Sequence, residues 1–129
     1  MALSLAAGLV NLALVPKDQW REAAAYIDAH YQSNDLVILE PQYMKIPFDY
    51  YHRGVETVGA DYSAGDTLLP KLACAYDRIW LVDHQLDRDP LARTQRLLDA
   101  RSAPASTTRF YRVEVRLYQL DRASAQCAP

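Results

Sequence analysis

Glycine is scarce in this sequence, with only 4 in 129 residues, and none of the four falls in a phosphate-binding pattern. Dinucleotide-binding domains carry G-x-G-x-x-G and P-loop proteins carry G-x-x-x-x-G-K-[ST], because a backbone that approaches a phosphate closely needs glycine at fixed positions. The chain contains neither motif. We therefore expect no nucleotide binding by either route.

Cysteine is also scarce. The chain has two cysteines, Cys74 and Cys127, and no C-x-x-C pair, so redox and zinc motifs built from paired thiols are absent. Cys74 lies in an apolar stretch, which is typical of a buried structural thiol. Cys127 lies in the polar C-terminal tail. In an oxidising compartment the two cysteines could form a disulfide, and the sequence does not decide whether they do.

The sequence has no excess of charge of either sign, with 14 Lys and Arg against 16 Asp and Glu and a pI of about 5.8. Proteins that bind nucleic acids present a basic face, so we expect no nucleic-acid partner. The catalytic motifs G-x-S-x-G and H-E-x-x-H are missing as well. We expect that the isolated chain is not an enzyme and carries no cofactor.

What the sequence does contain is an ordinary content of apolar residues, 50% of the chain, which suits one globular domain with a single core. We place this domain at residues 17–121. An apolar segment covers residues 1–16, and we expect a disordered tail at residues 122–129.

The N-terminal run at residues 2–15 is apolar on all sides except at Ser4 and Asn11, and Pro16 ends it. It is shorter than the roughly 20 residues that a helix needs to cross a bilayer core of ~30 Å. No basic residues precede it, as they would in a signal peptide. It is a core helix, a helix that packs on a partner, or the last turns of a longer transmembrane helix. The absence of a polar face favours the third interpretation.

Two runs of consecutive large apolar residues, at 36–39 and 79–82, predict central strands that are buried on both faces. A short strand is predicted at residues 55–58. Residues 107–120 alternate between apolar and charged side chains, which predicts one long, half-exposed antiparallel strand at the edge. Helical spacing predicts helices at residues 17–31, 42–53, 67–76 and 90–101.

The predicted helix starts and interruptions rest on single residues. Asp18 and Asp89 are the expected N-caps of the first and last helices, with Pro90 in the first turn of the last one. The helix at 42–53 is expected to be interrupted near Pro47. Because helices and strands alternate, the sequence predicts an α/β fold: a small three-layer sandwich with a mostly parallel sheet and an antiparallel edge strand.

The first candidate binding cluster follows the strand at 79–82. Ligands of open α/β sheets usually bind at the carboxyl ends of strands, and here the apolar run changes abruptly to Asp83 and His84. With Asp87 and Asp89 they offer oxygen and imidazole ligands that suit a divalent cation. Structural roles, as a helix cap, an ion pair and a polar rim, explain the same residues.

The second candidate cluster is Tyr50, Tyr51, His52 and Arg53. Tyrosine offers an apolar face and a hydroxyl, so such a row can stack on a sugar or line a pocket. Core packing by one or two of the tyrosines is the alternative. The candidate substrate-contacting residues are therefore Tyr50, Tyr51, His52, Asp83 and His84, and we assign no catalytic residue and no metal ligand.

Five segments, in this order, resemble a known family. They are KDQWREAAAYI at 17–27, NDLVIL at 34–39, YYHRG at 50–54, RIWLV at 78–82 and FYRVEVRLY at 110–118. Together they resemble the soluble C-terminal domain of multispanning bacterial membrane glycosyltransferases. These are the protein-mannosyltransferase-like and aminoarabinose-transferase-like enzymes, which use polyprenyl-phosphate sugars.

The resemblance implies a domain on the periplasmic or outer face of the bacterial inner membrane, with residues 2–15 as the end of the last transmembrane helix. Its partners would be its own transmembrane part and the lipid-linked sugar. In that family the catalytic acidic residues lie in loops between early transmembrane helices, so no catalytic residue carries over to this chain. The implied role is to cover the membrane-embedded site or to help hold the acceptor.

Two other classes of function stay open. A free-standing α/β module that binds a ligand or a protein would need residues 1–16 in its own core. A small metal-dependent enzyme would use Asp83, His84 and Asp87 as ligands.

Overall fold

A computed structural model describes residues 18–52, 56–59, 74–86 and 92–120 of the chain. Within these ranges the strands are β1 (Asp35–Glu40), β2 (Glu56–Gly59), β3 (Arg78–His84), β4 (Ser106–Phe110) and β5 (Val113–Gln119). The helices are α1 (Trp20–His30), α2 (Lys45–Tyr51) and α3 (Arg93–Arg101), and a 3₁₀ turn (Gln42–Met44) leads into α2.

The strands form one mixed sheet in the order β2-β1-β3-β5-β4. Strands β2, β1 and β3 are parallel, whereas β5 pairs antiparallel with β3 and β4 pairs antiparallel with β5. The predicted α/β fold, with a mostly parallel core and an antiparallel edge, is confirmed.

Two apolar clusters cover the two faces of this sheet, so the sandwich has three layers. Helices α1 and α2 bury Ala23, Ile27 and Phe48 against one face of the sheet. Helix α3 buries Leu98 against the other face. The central strands are apolar without interruption because each of their faces is covered by helices.

The C-terminal strand is a correction to the sequence prediction. Residues 107–120 form the β4–β5 hairpin instead of one strand, and the chain reverses at Tyr111 and Arg112. Arg112 adopts a positive φ of 61°. The alternation of apolar and polar side chains runs through both arms, so it does not mark the turn. Arm β5 is an inner strand with Val113 and Val115 buried. Of the two arms, only β4 is an outermost strand of the sheet.

Two details of the helices also differ from the prediction. Helix α1 has Gln19 at its N-cap position and no side-chain cap, so Asp18 is not the cap. Pro47 does not interrupt the second helix. It lies in the first turn of α2, where the missing N–H has no helical partner to lose.

Several predictions fall outside the described residues. These are the apolar segment at 1–16, most of the helix at 67–76 and the tail at 122–129. The predicted Asp89 cap is wrong, because α3 begins at Arg93 with Ala92 at its N-cap position and no side-chain cap. None of the helices in the described part of the chain has the length and the apolar composition to span a bilayer.

The start of the two central strands is held together by a buried ion pair. The Asp35 carboxylate accepts hydrogen bonds from Nε and Nη2 of Arg78 at 2.9 and 2.7 Å and from the Trp80 indole at 2.9 Å. The same Nη2 of Arg78 also donates to the carbonyl of His30 at the end of α1, at 2.8 Å. Burial by itself raises the pKa of Asp35, but its donors, Arg78, the backbone of Gln32 and Trp80, outweigh burial and lower that pKa.

Replacing Asp35 with Asn should destabilise the fold at neutral pH by about 3 kcal/mol or more, because Arg78 loses its buried counterion. A lowered carboxyl pKa stabilises the fold above the unfolded-state value of about 4, and this stabilisation is lost as the pH falls through the lower, folded-state pKa. The difference in the free energy of unfolding between wild type and Asp35→Asn should therefore shrink in acid. Urea denaturation at pH 7 and at pH 3 measures it.

The matched control is Asp49→Asn, since this carboxylate is 35% exposed and pairs with a half-exposed lysine. Exposed pairs contribute little, so its effect should stay below about 1 kcal/mol. A pH-independent difference for Asp35→Asn would contradict the prediction.

Candidate functional site

The parallel strands β1 and β3 end together at one end of the sheet. We name this end the carboxyl edge, which is distinct from the outermost strands β2 and β4. Their last residues are in register there, with Glu40 opposite Asp83. The segments that follow, the 3₁₀ turn after β1 and residues 85–86 after β3, leave from the same edge. Ligands of open α/β sheets bind at this position, which makes it the place to examine first.

His84 fastens the residues that precede α1 to this edge. Its imidazole N–H donates to the carboxylate of Asp18 at 2.7 Å, and its ring stacks on Trp20 with 5.6 Å between centroids. Gln19 is bound on its other side, because its backbone N–H donates to the carbonyl of Tyr111 and its side-chain oxygen accepts from the Tyr111 N–H at 2.7 Å. We name these five residues the N-terminal junction. The chain therefore enters the domain at the carboxyl edge.

On the opposite face of the sheet, three buried carboxylates stand side by side on adjacent strands. Glu40 of β1, Asp83 of β3 and Glu114 of β5 are paired in register and are 3%, 5% and 1% exposed. Glu114 accepts hydrogen bonds from Arg116 at 2.7 Å and from Arg109 at 3.1 Å. Glu114 is thus the counterion of two arginines that lie on both arms of the hairpin.

This carboxylate row is a feature that sequence reasoning missed. Glu40 directly follows the strand predicted at 36–39, and Glu114 is one of the charged residues that alternate with apolar ones in the strand predicted at 107–120. Only the pairing of β1, β3 and β5 brings them beside Asp83. No local pattern in the sequence specifies that register.

The structure separates Asp83 and His84, which the sequence grouped in one cluster. Successive side chains of a strand point to opposite faces, so Asp83 lies on the α3 face and His84 on the α1 face. They do not converge on one ion. Among the described residues, no group of three His, Cys, Asp or Glu side chains is placed to hold a metal. The other proposed ligands, Asp87 and Asp89, lie outside these residues.

The tyrosine cluster divides in a similar way. Tyr50 is 78% exposed. Tyr51 is half-buried, with the guanidinium of Arg21 at 5.4 Å from its ring centroid. His52 is 2.8 Å from Asp28 of α1, and its ring stacks on Phe48. Of the three, only Tyr50 presents its ring to a ligand, while Tyr51 and His52 attach α2 to α1. Arg53 lies outside the described residues, and substrate contact by this cluster stays a prediction.

An open pocket of about 540 Å³ lies where the chain leaves β1. Its lining residues come from the 3₁₀ turn and the first part of α2: Pro41, Gln42, Tyr43, Lys45, Ile46 and Asp49. Tyr43 is 56% exposed and Ile46 is 78% exposed, and a Lys45–Asp49 ion pair lies beside them. The end of β2 packs against the 3₁₀ turn. A Cβ at Gly59 would lie only 2.8 Å from Cγ of Gln42, so glycine permits this close packing.

Large exposed apolar side chains surround the carboxyl edge. Tyr43 and Ile46 follow β1, Leu86 follows β3, and Tyr111 lies in the hairpin turn that binds the N-terminal junction. We name these four side chains the apolar rim. The exposed Tyr31 lies at the other edge, where α1 ends beside Arg78, the first residue of β3.

No known protein family, curated protein or solved structure matches this chain.

Replacing His84 with Phe should keep the stacking on Trp20 but remove the hydrogen bond to Asp18. We expect a loss of about 1–2 kcal/mol in the free energy of unfolding, since a partly buried bond to a charged group is removed. We also expect faster amide hydrogen exchange at Gln19, whose N–H binds Tyr111.

The matched control is His30→Phe, because His30 is exposed at the far end of α1. This control should leave the exchange rate of the Gln19 amide unchanged. Equal rates in wild type and His84→Phe would show that His84 does not hold the junction.

Proposed function

We propose that this chain is the accessory, non-catalytic domain of a bacterial membrane glycosyltransferase that transfers sugar from a polyprenyl-phosphate donor. The domain lies on the periplasmic or outer face of the inner membrane. It covers the membrane-embedded active site and helps to position the acceptor. Its partners are its own transmembrane part and the lipid-linked sugar.

Four of the five segments that resemble this family contribute elements of the core. The segment at 17–27 forms most of α1, and the segments at 34–39, 78–82 and 110–118 form the three adjacent strands β1, β3 and β5. A resemblance spread over these segments therefore concerns one folded unit. This agreement supports treating them as a single inherited domain.

The observation that carries the proposal is the position of the N-terminal junction. The apolar residues 2–15 are followed by Pro16 and Lys17, and Asp18 is already bound to His84 at the carboxyl edge. A membrane-embedded catalytic part attached through this segment would face the edge of the sheet where ligands of α/β folds bind. The pocket at Tyr43 and Ile46 opens at the same edge.

The state of Cys74 also agrees with this location. Cys74 is half-buried and disulfide-bonded, and Cys127 lies outside the described residues. Disulfides persist in the periplasm and outside the cell and are rare in the cytosol.

The pocket also favours a second candidate, a free-standing module that binds a ligand or a protein partner. The two candidates differ in what residues 1–16 do. Removing them should leave the melting temperature of the domain within about 2 °C if they belong to a membrane segment, since the junction begins at Asp18. Unfolding of the shortened chain, followed by circular dichroism, would favour the free-standing module instead.

The transfer reaction tests the proposed role directly. In the complete membrane enzyme, Tyr50→Ser and Ile46→Ser should each lower kcat/KM for the acceptor by about tenfold, which corresponds to about 1.4 kcal/mol of lost binding. Both side chains are 78% exposed, so the fold should not suffer. A radiolabelled polyprenyl-phosphate sugar and the purified enzyme measure the rate.

Tyr31→Ser is the matched control, because Tyr31 is an exposed aromatic residue outside α2, the helix that carries both Ile46 and Tyr50. It should leave transfer unchanged. Asp83 and His84 are poor probes in this assay, because both are buried and their loss disturbs the fold. Full activity of Tyr50→Ser and Ile46→Ser together would remove the support for acceptor positioning by this surface.

A further inference from the structure

We propose that the apolar rim rests on a lipid surface, with Tyr43, Ile46, Leu86 and Tyr111 at the level of the lipid head groups. This inference rests on the proposed function in one respect, namely that residues 2–15 are embedded in the membrane. It adds the orientation of the domain and the chemistry of the surface that it contacts.

The exposure of these side chains is the first argument. Leu86 is 65% exposed, Ile46 is 78% exposed and Tyr43 is 56% exposed. Leu86 and Tyr43 follow closely on strands whose own residues are almost all buried, and Ile46 lies in the first turn of α2. Tyr111 is 38% exposed in the hairpin turn. Apolar side chains that gather around one edge of a small domain mark a surface that contacts something other than water.

The opposite edge of the sheet is different in character. It begins with the Asp35–Arg78 ion pair, and the loop before β1 is made of Gln32, Ser33 and Asn34. Tyr31 is a large exposed apolar side chain there, and Tyr50, 78% exposed near the end of α2, lies outside the apolar rim. The contrast gives the domain a polar end and an apolar end, with the N-terminal junction at the apolar one.

The length of the connection is the second argument. Three residue steps separate Val15, the last apolar residue of the segment, from Asp18, which is bound to His84. An extended chain spans at most ~3.6 Å per residue, so Asp18 lies within about 11 Å of Val15. The polar head-group layer on each side of a bilayer is about 5–8 Å thick. If Val15 is embedded in the membrane, the carboxyl edge must therefore lie close to the lipid head groups.

The composition of the edge is the third argument, and it favours lipid over a protein partner. Tyrosine is enriched at membrane–water interfaces, where the ring lies among apolar groups and the hydroxyl reaches water. Cationic side chains flank the rim. Arg112 is 42% exposed and lies beside Tyr111, and Arg109 is 76% exposed in the same hairpin. Anionic head groups attract cations in this position.

Nearby carboxylates limit this attraction. Asp18 lies 3.7 Å from Arg112, Glu114 binds Arg109 and Asp49 pairs with Lys45. The apolar rim is thus the main contact, and the cations add a preference for anionic lipid.

The experiment measures the depth of single sites in vesicles of phosphatidylcholine and phosphatidylglycerol. The full chain carries one nitroxide label at a time, attached through Ile46→Cys, Leu86→Cys or, at the opposite edge, Tyr31→Cys. Cys74 is disulfide-bonded and does not compete for the label. Because all three replaced side chains are exposed, each variant should fold, and thermal melting verifies this.

We expect the labels at residues 46 and 86 to become severalfold less accessible to a water-soluble nickel chelate and more accessible to oxygen on vesicle binding. The label at residue 31 should keep the accessibility that it has in solution. Replacing phosphatidylglycerol with phosphatidylcholine should weaken binding at low salt.

Two results would overturn the inference. In the first, the chain binds vesicles but the labels at residues 46 and 86 stay as accessible to the chelate as the label at residue 31. In the second, the chain does not bind vesicles. In the complete enzyme, protection of the rim labels from both the chelate and oxygen would also overturn the inference, because it would indicate that a protein partner covers the rim. The depth measurement involves no sugar. A lipid-bound rim in an inactive protein would therefore refute the transferase proposal alone, and normal transfer with a water-exposed rim would refute this inference alone.

Discussion

The structure depends on the parallel pairing of β1 and β3, two strands that are buried on both faces. Asp35, Arg78 and Trp80 hold the start of this pair through hydrogen bonds of 2.7–2.9 Å around the fully buried Asp35 side chain. A buried charge needs such partners, and once Asp35 has them a shift in register would leave it unpaired. Arg78 also binds the end of α1, so the same group determines where the first helix packs.

Parallel strands have one further consequence, because both end at the same edge. The chain must leave β1 and β3 there, and the segments that connect onward cannot all be buried. The N-terminal junction also lies at this edge, where Asp18 and Trp20 contact His84. The pocket, the apolar rim and the start of α1 are thus concentrated at one end of the domain, and the Asp35–Arg78 ion pair lies at the other end.

The elements that could be predicted are those whose cause is local. The strands at 36–39 and 79–82 were recognised because a strand that is covered on both faces consists of consecutive apolar residues. Asp83 and His84 were expected at the edge because the apolar run stops there. The hairpin in residues 107–120 was missed, since alternation continues across a turn that depends on one residue, Arg112, in a left-handed conformation. The Asp18–His84 bond joins residues 66 positions apart, so the helix-cap assignment for Asp18 was reasonable locally and wrong in the fold.

The sequence by itself determined the class of fold, the central strands and the presence of an apolar segment before the domain. Periodicity and the lengths of apolar runs report burial, which is a property of each segment. Only the tertiary structure decided which face each residue of a pair such as Asp83 and His84 occupies, which carboxylates become neighbours, and at which edge the chain enters. Those are properties of strand register and of contacts between distant residues, and a one-residue change in pairing would reverse them without altering the local pattern.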